Sequence, residues 1–143
     1  MSNALDRLRS LTDRISSFEV ARTQNLKDLK KLYDDFEIDN EVIDFDNIFK
    51  YSAMNLAGIS LQEENLGEIK EGKYVQIIVI ESAKNGAKAK NINLAYFGRS
   101  DKLEIKKRTD VVEFVLRWRF EKSFRSMQHY HDMIDLNKKS MNA

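Results

Sequence analysis

The densest set of side chains able to do chemistry lies between residues 34 and 46, DDFEIDNEVIDFD, where seven of thirteen positions are acidic. Counted from Asp35, carboxylates stand at loop positions 1, 3, 5, 7 and 12: Asp35, Glu37, Asp39, Glu41 and Asp46. Calcium takes roughly six to eight hard oxygen ligands, and acids at this spacing can wrap them around one ion. The loop departs from that pattern at three places. Position 6 is Asn40 where the sharp turn requires glycine, position 3 is Glu37, and position 12 is Asp46, a short reach for coordination through two oxygens. No second loop of this kind occurs in the chain. The favoured reading is therefore a solvated acidic face that meets a basic protein surface, with Asp34, Asp35, Glu37, Asp39 and Glu41 as protein-binding candidates. No metal or other cofactor is expected.

A second set is Glu104-Ile105-Lys106, expected on the third of three strands between two helical regions. That order, with an E-x-K triplet on the third strand, resembles the core of the PD-(D/E)xK nucleases. The resemblance implies an upstream carboxylate that joins the Glu/Lys pair to hold Mg²⁺ and activate water. Asn91 and Asn93 occupy the second strand where that acid is needed, and Glu81 is a poorly placed substitute. A triplet of this kind arises easily when 33% of residues are charged. A metal-dependent nuclease is the distant alternative.

Other catalytic chemistry is sparse. The chain has no cysteine and two histidines, which excludes disulfides, zinc–thiolate sites and thiol catalysis. Arg125 and His131 have an R-x5-H spacing, but six residues on a helix set them about 120° apart. His131 is expected to pack beside an apolar stripe. Neither G-x-S-x-G nor a glycine-rich phosphate loop is present.

Charge is unevenly divided. Residues 1–81 hold 10 Lys/Arg and 16 Asp/Glu, whereas residues 82–143 hold 14 and 7, a division hidden in the overall +1. A basic half can contact phosphates, and an exposed aromatic among cations can stack on an unpaired base. Lys88, Lys90, Lys106, Lys107, Arg117, Trp118, Lys122 and Arg125 are the nucleic-acid-binding candidates. Val111, Phe114 and Val115 flank Trp118 on its side of the helix, which favours Trp118 as core. No RNP motif, KH loop or helix-turn-helix is evident.

The elements that must carry these residues follow from spacing. A chain of 143 residues without proline reads as a single domain over 1–143. Leu8, Leu11, Ile15, Phe18, Leu29, Leu32 and Phe36 recur at intervals of three and four, with polar Arg22 and Asn25 in the same seam. One helix with a polar interruption, or two meeting near Ser16-Ser17, would give this pattern; it reads as a packing face, with a dimer seam as the alternative. Phe36, Ile38 and Val42 alternate with acids as an edge strand would, and Ile48, Tyr51 and Asn55-Leu56 suggest a helix stopped by Gly58. Tyr74–Ile80 reads as a central strand, Asn85-Gly86 as a hairpin turn, and Ile92–Phe97 and Leu103–Lys106 as further strands, with Ile59–Gln62 as an added edge. A last helix over 110–136 opens on a capping-box pair, Asp110 and Glu113. Its stripe Val112, Leu116, Phe120, Phe124, Met127, Tyr130 and Ile134 is expected to pack on the sheet.

The expected fold is thus α+β: N-terminal helices, a three- to four-stranded antiparallel meander, and a long C-terminal helix packed on the sheet. The expected function is that of a non-enzymatic interaction or accessory protein whose charge-polarised surface binds a protein partner or itself, with nucleic-acid binding as the alternative. No apolar run approaches the roughly 18 residues of a membrane span, and the first residues lack the apolar stretch of a signal peptide. A membrane partner is not expected, and the expected location is the cytoplasm.

Overall fold

The computed structural model describes residues 3–83 and 88–141. Its first element, α1, is one helix from Ala4 to Asp35. Asn3 caps it by accepting the Asp6 N–H at 2.9 Å, which satisfies one of the donors that a helix N-terminus leaves free. The helix runs through Ser16-Ser17 without a break. The polar seam residues do not interrupt it, because they face the other long helix: Asn25 is buried and its side-chain amide donates to the Arg117 carbonyl.

Segment 34–46 is not an edge strand. The helix ends at Asp35, and Glu37 turns the chain with a left-handed backbone at φ 55°. Short 3-10 turns follow at Ile38–Asn40 and Phe45–Lys50. Ile38, Val42 and Ile48 are buried in this stretch, and the Tyr33 hydroxyl donates to the Val42 carbonyl. Alternation of apolar and acidic residues here therefore records a compact turn pinned at intervals, not a pleated strand.

Three strands form an antiparallel sheet in the order β1-β2-β3: β1 Ala53–Ala57, β2 Tyr74–Glu81 and β3 Lys90–Arg99. The stretch around Asn55-Leu56 is thus a strand rather than a helix, with Met54 and Leu56 alternating into the core. Ile59–Gln62 contributes only a single bridge, Ile59 to Ile69. The Asn85-Gly86 turn lies outside the described residues. Gly58 ends β1 at φ +87°, where a Cβ would stand 2.6 Å from the Tyr74 carbonyl oxygen. Strain and collision with backbone coincide there, so Gly58→Ala is expected to cost about 2–3 kcal/mol. A urea midpoint lowered at unchanged slope would show it.

Leu103–Lys106 is not a third strand of the meander. Ser100 is fully buried and its hydroxyl donates to the Lys70 carbonyl, which fixes a tight turn after β3. The second long helix, α2, then runs from Ile105 to Met141. It begins five residues before Asp110, which binds Lys106 instead of capping. Glu104 precedes the helix and Lys106 lies within it, so the strand placement required by the nuclease resemblance is absent.

The long helix does pack on the sheet, but through another face. Val111, Phe114, Val115 and Trp118 are buried; of the expected stripe, Val112 is buried and Phe124 half-buried, whereas Leu116, Phe120, Met127, Tyr130 and Ile134 are exposed. The two faces lie about 150° apart around a 3.6-residue helix. The sheet reaches only the first half of α2, so a compact face of branched and aromatic residues can be covered there. The longer stripe starts in the core at Val112 but continues past the last strand, where Met127, Tyr130 and Ile134 stay exposed. Leu29, Leu32 and Tyr33 of α1 complete the core from the other side.

Candidate interaction surfaces

The sequence-derived candidates fall into two very different environments. Asp34 and Asp35 at the end of α1, and Glu37, Asp39 and Glu41 on the turn after it, are all exposed. Asp34 is held by Lys30 at 2.7 Å, an exposed pair one helical turn apart. Among the described residues, no three acidic or histidine side chains converge to hold a metal ion. Backbone geometry explains this: the chain coils through two short turns that direct Ile38, Val42 and Ile48 inward, leave Ile43 exposed and spread the carboxylates over the surface.

Most of the candidates on α2 contact groups of their own chain, although Lys106 stays exposed. Trp118 is 2% exposed, its indole N–H donates to the Ile48 carbonyl at 2.8 Å, and its ring lies parallel to Phe49. It is a core residue, with no free face for a base. Lys122 donates to the Phe49 carbonyl at 2.6 Å; burial, then Arg125 nearby, holds its ammonium below the usual lysine range. Arg117 contacts Glu113 and Asp28 and donates to Asn25. Lys106 pairs with Asp110 at 3.0 Å, and Lys107 sits over the rings of Phe36 and Phe97. Lys88 and Lys90 remain exposed beside the start of β3. The seven basic candidates and Trp118 thus do not form one exposed patch.

The strongest polar constellation is Glu121. Its side chain is wholly buried and lies between Arg22 at 2.8 Å and Arg125 at 2.9 Å. Burial pushes its carboxyl up, but hydrogen bonds from Arg22 and Arg125 outweigh that and hold it below the usual carboxylate range. Arg125 also covers the Phe49 ring and reaches Asp46 at 3.4 Å. This cluster joins α1, α2 and the acidic turn, and it absorbs the Arg125 of the R-x5-H pair. His131 is exposed, 3.6 Å from Asp135, not packed as the sequence suggested.

No family model, curated protein or solved structure matches the chain.

Beyond the Glu121 cluster, both helices leave the head. Among the described side chains, all of those in residues 3–21 and all of those in residues 126–141 are exposed. Leu5, Leu8, Leu11 and Phe18 are each more than half exposed on the α1 arm, as are Met127, Tyr130 and Ile134 on the α2 arm. Contiguous apolar surface of this kind is a common mark of interaction sites. Sequence reasoning placed one of these stripes in the core and treated the other mainly as a bundle face. The signal that could have found the arms is length: each stripe extends well past what a three-stranded sheet can cover. No helix among the described residues is long and apolar enough to cross a membrane.

Proposed function

We propose that this chain is a non-enzymatic interaction protein of the cytoplasm, a folded head that holds out two helical arms to a protein partner. The observation that carries this reading is the run of apolar side chains on turns with no neighbour from the head. Helices are stabilised mainly by burying an amphipathic face, so the arms gain most when a partner covers them. The exposed acidic turn at Asp34, Asp35, Glu37, Asp39 and Glu41 offers a second surface that steers association by charge. The basic residues contribute less to recognition than their number suggests, because Arg117 reaches Asp28 of α1, Lys122 the Phe49 carbonyl and Arg125 Asp46.

Nucleic-acid binding keeps one observation in its favour. Tyr74 and Tyr96 are exposed on neighbouring strands with ring centroids 6.1 Å apart, an arrangement on which bases can stack. One experiment separates the two readings: affinity capture from the native host with and without nuclease, for the parent chain and for Leu11→Asp/Phe18→Asp. The expected result is a protein partner that survives nuclease and is lost from the arm variant at unchanged melting temperature. Retention by the arm variant would sink the reading, and nucleic acid co-purifying through high salt would replace it.

A further inference from the structure

The arm of α1 has an unambiguous heptad register. Leu8 and Ile15 take position a, Leu11 and Phe18 take position d, and the same count carries on through Asn25, Leu29 and Leu32 in the head. The downstream half of this seam is buried against the head, whereas Leu8, Leu11 and Phe18 are more than half exposed. A seam that suits helix packing along its whole length is therefore used along only part of it. Arg22 marks the change: it stands at the next a position and is held by Glu121 at 2.8 Å.

We infer that the free part of this seam pairs with the same segment of a second copy, in parallel, as a short two-stranded coiled coil; the inference rests on the reading of the arms as a binding surface. Two features favour a second copy over a foreign chain. Residues 4–21 carry three arginines and three acids, a balanced surface that can meet itself without net repulsion. The charges are also placed for self-pairing. Arg7 and Arg14 fall at g, and Thr12 and Glu19 at e. In a parallel pair, g of one helix meets e of the next heptad of the other, which sets Arg14 against Glu19 of the second copy, twice by symmetry. An antiparallel pair would set g against g and bring the arginines together, a like-charge arrangement that disfavours it. A branched residue at Ile15 also suits position a of a two-stranded coil. Every described side chain of residues 3–21 is exposed.

Only about two heptads are free, so association should be weak, with dimer growing in across the micromolar range. Sedimentation of the full chain over that range is expected to show a monomer–dimer equilibrium. Leu8→Asp/Leu11→Asp should remove the dimer without changing the melting temperature of the head. Orientation is read by cross-linking, which the absence of native cysteine makes clean. Oxidised Leu11→Cys should form a disulfide dimer, because parallel pairing brings identical d positions within disulfide reach. Ser10→Cys, on the outer side of the register, should not. A parent chain that stays monomeric throughout, or Ser10→Cys cross-linking as readily as Leu11→Cys, overturns the inference. A monomer that still captures a foreign protein through the arms defeats self-pairing and leaves the broader reading standing. A monomer without arm-dependent capture defeats both.

Discussion

Trp118→Ala is expected to lower the unfolding free energy by about 3–5 kcal/mol, the largest loss for any single truncation considered. Three effects add. The indole is almost wholly buried, so its removal leaves a cavity between α2 and the turn at Phe45–Lys50. Its stacked partner Phe49 loses a parallel neighbour at 6.4 Å. The Ile48 carbonyl loses the donor that satisfies it, and an orphaned buried acceptor is costly. Trp118→Phe should restore part of the packing and none of the hydrogen bond, giving an intermediate loss. Phe120→Asp serves as the contrast: two residues away but 39% exposed, it should shift stability by less than about 1 kcal/mol. Urea unfolding followed by circular dichroism measures all three, since Trp118 is the sole tryptophan. A Trp118→Ala chain with the parent midpoint would remove this residue from the core.

Glu121→Ala should cost about 1.5–3 kcal/mol, the range for hydrogen bonds to charged groups. The loss stays below that of a fully buried ion pair because Arg22 and Arg125 keep partial access to water and can rehydrate when the carboxylate is gone. The effect should depend on pH with a definite sign. Arg22 and Arg125 hold the native carboxyl below the ordinary value of 4.5. At acid pH the unfolded chain therefore binds a proton at this group before the native chain does. Its contribution is present in full above the ordinary value and is lost as pH falls through the depressed native one. The stability gap between the parent and Glu121→Gln should accordingly be widest near neutrality and shrink on acidification. A gap that stays constant through that range would show that the ionised form of Glu121 is not what stabilises the cluster.

Much of the architecture is legible from spacing alone. Tyr74–Ile80 is a central strand because β-branched residues dominate it, and the absence of proline and of glycine before residue 58 leaves α1 unbroken. What spacing hides is which of two apolar faces the sheet will cover. On α2 the longer stripe outcompetes the shorter one as a pattern, yet Val111, Phe114, Val115 and Trp118 form the buried face because they lie where the strands reach. Short segments mislead for a related reason. Ala53–Ala57 and Leu103–Lys106 are each only a turn or two long, and their state is set by what they join: β2 recruits the first as its edge, while buried Ser100 turns the second into a helix start. The basic candidates show the same limit in charge. Composition counts cations, but only the fold shows that Arg117, Lys122 and Arg125 bind carboxylates and carbonyls of their own chain.

Each arm is the outer continuation of a helix whose inner turns form the core. Folding of the head and occupancy of the arms are therefore linked equilibria. Whatever grips the arms selects the folded state over the unfolded one and raises apparent stability by mass action, in proportion to the logarithm of its concentration over its dissociation constant. A substitution that loosens the head, such as one at Trp118, would then be partly rescued in the cell by the partner, and the chain's abundance would track that of the partner.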